Sequence, residues 1–459
     1  MGYATVGSAV LSPHTRTSCP PRSRPLTTLA QRRAELRPAV GRAWITQYGL
    51  LYLGQNIAWS GPTQILLALQ VLQLAPEHYE TSFAWLMTSG GLFQALGGFT
   101  GGVLSDRTRT RFGRRAPWIV MGTLSAAILL VCLATTPPYW ALLALWSLFQ
   151  FASYTSVNAV LALATDTAPA RQYGVISGIL GMTYTLGVVV GTLVSTSLGI
   201  GPAYAVSAAL LLALTAQFLL RPDARRPAPD ELDPAPEDDE GAVLIGGVLD
   251  GSIVAPADEA AAVGSAAGGA RHPYADFAWV FAARFTVNLG NFIALFYLLY
   301  YLRDRIGVAD PDTGVLILTG VYAVCVLITA VIAGTLSDRW RLRRPFVSTS
   351  AVGVAVASLV MAFAPSFAAV VVAAALLGLS WGVFSAVDQA LVNEVLPREA
   401  SRARDVGIMN VTVAGANVAS PLLAAFALHG LGGYPGLYVL SAALVAIGAV
   451  MVRGVRGVR

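Results

Sequence analysis

Four residues, Trp146, Gln150, Tyr154 and Asn158, recur every fourth position inside an apolar stretch, so a helix there presents all four on one face. Amides both donate and accept hydrogen bonds, and indole and phenol rings cover apolar surface. Such a face suits a neutral, hydroxyl-rich ligand. Three other apolar stretches carry comparable groups. One has Tyr48, Tyr52, Gln55, Asn56, Trp59 and Thr63; a second has Arg284, Asn288 and Asn291; a third has Trp381, Ser385, Asp388 and Gln389. Polar groups in apolar runs are costly, so they mark either a ligand site or hydrogen bonding between helices. Gln55, Asn56, Trp59, Gln150, Tyr154, Asn158, Asn288, Asn291 and Trp381 are the candidate substrate-binding residues. Arg284 and Asp388 lie at similar depth in their stretches, which points to an ion pair. Asp388 is also the leading protonation site if protons are coupled to the chemistry.

The elements that must position these groups are membrane helices. The chain has 459 residues, is 55% hydrophobic and 12% charged, and has a mean hydropathy of +0.63. A soluble domain carries about 25% charged residues. About 20 apolar residues span a bilayer as a helix. Twelve such spans can be read, at 44–73, 81–104, 117–136, 138–165, 174–198, 202–220, 277–302, 313–336, 345–364, 367–395, 406–429 and 433–452. Residues 1–43 contain no continuous apolar core of the signal-peptide kind.

There is no Lys, and all 30 basic residues are Arg. A P-loop ATP motor and a Schiff-base cofactor both need a Lys, so both are excluded. Cys19, Cys132 and Cys325 form no disulfide framework, and His14, His78, His272 and His429 have no ligand spacing. No metal, cofactor or nucleic-acid partner is expected, and a monomer in the lipid bilayer is. With the N-terminus inside, 27 of the 30 Arg fall on the inner side. The positive-inside rule therefore places both termini in the cytoplasm of a multi-pass plasma-membrane protein. Residues 1–43 and 453–459 read as basic tails, 44–220 and 276–452 as two six-helix units, and 221–275 as a flexible linker with an acidic Pro-rich run.

The two units repeat a signature. Gly101-Gly102-Val103-Leu104-Ser105-Asp106-Arg107 precedes Thr108-Arg109-Thr110-Arg111-Phe112-Gly113-Arg114-Arg115-Ala116-Pro117-Trp118 between spans 2 and 3. Gly334-Thr335-Leu336-Ser337-Asp338-Arg339 precedes Trp340-Arg341-Leu342-Arg343-Arg344-Pro345 between spans 8 and 9, at an offset of 232 residues. Asp166…Pro169 is echoed by Glu394…Pro397 at a nearby offset. Equivalent loops at nearly one offset imply duplicated halves.

The Gly-x-x-x-Asp-Arg loop in both halves resembles the signature of the major facilitator superfamily. Its longer form resembles the branch of glycoside–cation symporters and sucrose-type transporters. The resemblance implies two pseudo-symmetric six-helix bundles, an all-α fold of twelve transmembrane helices, around a central cavity that opens to each side in turn. It also implies that spans 1, 4, 7 and 10 line the cavity and that spans 2, 5, 8 and 11 form the seam. Asp106, Arg107, Arg114, Arg115, Asp166, Asp338, Arg339 and Glu394 are then the candidate gating residues, with Asp166 and Glu394 as acidic partners for the loop arginines. The expected function is secondary transport of a small polar solute, a sugar or glycoside foremost, with a proton as coupling ion through Asp388 and Arg284. Melibiose-type symporters carry paired Asp in span 2, but here that span has only Glu80 at its edge, which argues against sodium at that site. An exporter of drugs or metabolites and a non-transporting receptor are the rival readings, and neither calls for an enzyme's machinery.

Overall fold

The computed structural model describes residues 2, 38–110, 112–220, 275–340, 343–395 and 402–455, without a few side chains such as those of Asp338, Gln389 and Glu394. Most of the two tails and the linker read from sequence therefore lie outside the described residues. Every regular element described is helical. Spans 2 to 6 are Tyr79–Arg107, Ala116–Leu133, Tyr139–Thr167, Tyr173–Leu198 and Ile200–Leu219. Spans 8 to 12 are Pro311–Trp340, Arg343–Ala362, Phe367–Val395, Arg402–Gly430 and Tyr434–Met451.

Spans 1 and 7 are interrupted. Span 1 runs Arg42–Gly61, passes through a π turn at Pro62–Leu66 and resumes at Leu67–Leu74. Pro62 has no N–H to give the preceding turn, and the extra residue of a π turn absorbs the mismatch. Span 7 runs Ala275–Phe296, breaks at Tyr297, continues as Leu298–Tyr301 and ends in a π turn, Leu302–Ile306. Gly307 closes that turn at φ +71°, where a residue without Cβ is unstrained.

Among the described residues, nine helices are long and apolar enough to cross a membrane, and all belong to spans 3 and 5 to 12. The other three spans, 1, 2 and 4, are the π-broken one, the glycine-rich one and the one with the amide stripe. Their polarity is turned inward. Buried positions dominate Tyr139–Thr167, whereas Ile128, Val131, Val331 and Val372 on the more apolar helices project outward as lipid-facing side chains do.

Helix pairing shows the duplication directly. In the first half span 1 packs on 5 and 6, span 4 on 2 and 3, and span 3 on 6. In the second half span 7 packs on 11 and 12, span 10 on 8 and 9, and span 9 on 12. Adding six to each number of the first set gives the second. The halves meet where span 2 packs on 11 and span 5 on 8, a seam with the same two-fold relation. Within the first half, span 2 can sit close to span 4 because of its glycines. A Cβ at Gly97 would run into the backbone of Phe151, and one at Gly101 would lie 2.7 Å from the Thr155 Cα.

Candidate functional site

The amide stripe of span 4 faces span 2. Gln150 Nε2 donates to Gln94 Oε1 at 3.3 Å, and Asn417 Nδ2, from span 11, donates to the same oxygen at 3.2 Å. This amide bridge crosses the seam about midway along span 2. Trp146 and Gln150 each retain a buried polar atom without a partner, Nε1 and Oε1 respectively. Tyr154 is buried in the first half beside Tyr52 and Tyr184. Asn158 Nδ2 donates to the Gly98 carbonyl, which fastens span 4 to span 2, while its Oδ1 is buried without a partner.

The other candidate binding residues fall into different surroundings. Gln55 Nε2 is shared between Thr123 Oγ1 at 3.2 Å and Ser156 Oγ at 3.1 Å, inside the first half, so its donors serve interhelical bonding. Asn56 donates to the Tyr52 carbonyl of its own helix, and Asn288 to that of Arg284. Trp59 is half-buried with its indole N–H unpartnered, and Asn291 is buried with Oδ1 unpartnered. Trp381 stacks on Phe384, with ring centroids 5.1 Å apart.

Arg284 and Asp388 are brought together, Nη1 to Oδ2, at 3.0 Å, and their side chains are 2% and 8% exposed. The pair sits inside the second half rather than on the seam. It borders a small cavity lined also by Val287 of span 7, Val347 of span 9, Phe384 of span 10 and Val452. Surroundings of that kind give an isolated charge no solvation, so each charge depends on the other. Among the described residues, the charged side chains that are buried are Arg284, Asp388 and Arg115.

Arg115 is the centre of the loop signature. It reaches Asp106 Oδ1 with Nη1, Ser105 Oγ with the same nitrogen at 2.7 Å, and Asp166 Oδ2 with Nε at 2.8 Å. Arg114 grips the other side of Asp166, Nη2 to Oδ1 at 2.7 Å. The 2–3 loop is thereby fastened to the 4–5 loop of the same half. Trp118 Nε1 donates to Thr108 Oγ1 at 2.8 Å and holds the loop's start against its end. The second half repeats the serine contact, with Arg343 Nη1 on Ser337 Oγ at 3.0 Å. Arg107 and Arg339 end their helices exposed, and the side chains of Asp338 and Glu394 lie outside the described residues.

The opposite end of the bundle closes across the halves. Asp304 Oδ2 of span 7 accepts from Tyr79 of span 2 at 2.9 Å and from Tyr434 of span 12 at 2.8 Å. Tyr297 donates to the Glu80 carbonyl at 2.9 Å, and Tyr300 to the Ala68 carbonyl at 3.0 Å. Phe83 lies edge-on to both tyrosine rings. His429 Nε2 stands 3.7 Å from Glu80 Oε2, so this histidine, a bystander by sequence spacing, is at the seam.

Sequence reasoning missed Gln94, Asn417 and this tyrosine seal. The signal for the first two was present, since each is an amide inside an apolar span, but the resemblance assigns spans 2 and 11 to the seam and not to the cavity lining. The tyrosines lie at span ends, where aromatic residues are ordinary.

A duplicated twelve-helix bundle with a polar seam and bracing Arg loops defines a membrane transport protein. The family model described as Major Facilitator Superfamily matches residues 48–311 and 280–458, and the chain belongs to that family. It is a secondary transporter for a small-molecule substrate and not an enzyme. Among solved structures it is similar to a mutant form of the nucleoside transporter NupG. The TM-score is 0.66 at 13% identity, with 90% of this chain and 99% of that one covered. It is also similar to the human organic anion transporter MFSD10 (TETRAN), with a TM-score of 0.58 at 14% identity over 92% of this chain and 99% of that one. No curated protein sequence matches it.

Proposed function

We propose that the protein moves a neutral, hydroxyl-rich solute, a sugar or glycoside foremost, across the plasma membrane by alternating access. In this reading the Arg-rich loops and both termini face the cytoplasm, the tyrosine seal faces outward, and the protein works as a monomer of the glycoside–cation symporter type. One observation carries the choice of cargo. Among the described residues, the buried seam offers amides and indoles with unpartnered atoms, while Arg284 of the interior is already matched by Asp388. A cationic or anionic cargo would meet no uncompensated charge there among the described residues. A hydroxyl, being donor and acceptor at once, answers both kinds of leftover group.

The test is thermal stabilisation of the purified full chain by sucrose, methyl β-D-glucopyranoside and uridine. The organic anion p-aminohippurate serves as control. A neutral hydroxylated solute should raise the melting temperature. Stabilisation by the anion alone rejects the neutral-solute reading. Proton coupling through Asp388 predicts that Asp388→Asn abolishes uphill accumulation in proteoliposomes yet leaves solute exchange. Normal uphill uptake by that variant removes Asp388 from the coupling role.

A further inference from the structure

We propose that Gln94 and Asn417, on the two seam helices, form with Gln150 and Trp146 a subsite for one hydroxyl-bearing part of the cargo, and that the cargo enters by displacing the bond between Gln94 and Asn417. The same amides then clasp the halves when the site is empty and hold the solute when it is loaded. The proposal rests on the neutral-solute reading above.

The hydrogen-bond inventory leads here. Gln94 Oε1 accepts from Gln150 Nε2 and Asn417 Nδ2, while the acceptor of Gln150 and the indole donor of Trp146 stay buried and unpartnered. Leaving buried groups unmade is costly, about 1–3 kcal/mol each. A closed bundle with an unpaired donor and an unpaired acceptor on neighbouring turns is therefore incomplete by one small polar group. A hydroxyl, donor and acceptor at once, can answer both. Both residues flank Gly90, where an added Cβ would overlap Trp146 Nε1 and come within 3.3 Å of Gln150 Cγ. The missing side chain at Gly90 lets the Trp146 indole and Gln150 lie directly against span 2.

Span 11 is weakened at the matching place. Pro421 lies inside the helix and has no N–H for the carbonyl of Asn417 four residues earlier. Ser420 Oγ donates to that carbonyl instead, at 3.4 Å. A helix loosened at the clasp residue can turn Asn417 toward or away from Gln94 at less cost than an unbroken one.

The experiment titrates the full chain in detergent with sucrose, methyl β-D-glucopyranoside and uridine, following the thermal shift in wild type, Gln94→Ala and Asn417→Ala. Gln94→Asn and Asn417→Ser keep a polar group and serve if the alanine variants fail to fold. The concentration for half-maximal stabilisation should rise about tenfold in each alanine variant, the loss of one net hydrogen bond. Gln94→Asn should recover part of it. An unchanged half-point in variants that are merely less stable overturns the subsite and leaves the neutral-solute reading standing, with the triad as helix packing only. A wild type indifferent to all three hydroxylated solutes overturns that reading and the subsite together.

Discussion

The two halves share one helix-pairing scheme but solve the problem of interior polarity differently. Among the described residues, the first half keeps the polar atoms buried along its helices neutral and confines its buried charge, Arg115, to the 2–3 loop. Gln55 shares its amide with Thr123 and Ser156, Asn158 caps the Gly98 carbonyl, and Gln70 accepts from Tyr204 at 2.7 Å while donating to the Leu133 carbonyl at 2.8 Å. The second half buries a charge pair, Arg284 with Asp388, among Val287, Val347 and Phe384. A neutral network degrades one bond at a time, because each remaining hydroxyl or amide can find another partner. A charge pair is conditional, because removing either member takes the opposite charge away from the other. Duplicated backbone therefore does not mean duplicated chemistry.

Mutations that strip one member of each arrangement test this contrast. The largest effect is expected from Asp388→Ala, which removes the carboxylate 3.0 Å from Arg284 and should cost up to about 3 kcal/mol of stability, the scale of a charge inside a membrane helix. The double variant with Arg284→Ala should be more stable than the summed single losses allow, read as melting temperature of the purified chain. An additive double variant denies the mutual dependence. Gln55→Leu should cost less, about 1 kcal/mol, because Thr123 and Ser156 remain bonded to each other at 3.1 Å. A loss equal to that of Asp388→Ala would erase the difference between the halves. The smallest effects belong to Ser105→Ala and Ser337→Ala, which remove the equivalent Arg contacts of the two loops. Each should lower stability by about 1 kcal/mol or less, and by similar amounts. Unequal losses would show that the Arg loops have diverged as far as the interiors have.

Much of this was legible in the sequence. Twelve apolar stretches and the repeated Leu-Ser-Asp-Arg gave the duplicated bundle, because spanning length and loop charge are one-dimensional properties. Asp166 could be named as an acidic partner for the loop arginines, and Arg284 with Asp388 as a pair, since opposite charges at one depth have few alternatives. The direction of each amide was not legible. Gln55 and Gln150 are both glutamines on striped helices, yet one points at span 3 and the other at the seam. That difference depends on helix rotation, set by where glycines such as Gly90 and Gly97 let neighbours approach. The break in span 7 at Tyr297 also left no mark, because Tyr-Leu-Leu-Tyr-Tyr reads as uninterrupted helix.

The neutralised interior has an electrical consequence. Carrying one elementary charge through a membrane potential takes about 2.3 kcal/mol per 100 mV. Arg284 and Asp388 travel together in the second half, and their charges cancel within 3.0 Å. The seam amides bring no charge of their own. A swing of one half against the other then displaces no net charge through the field from these groups. In the proposed transport cycle, a current recorded across a voltage-clamped membrane holding this protein should therefore carry no contribution from this pair.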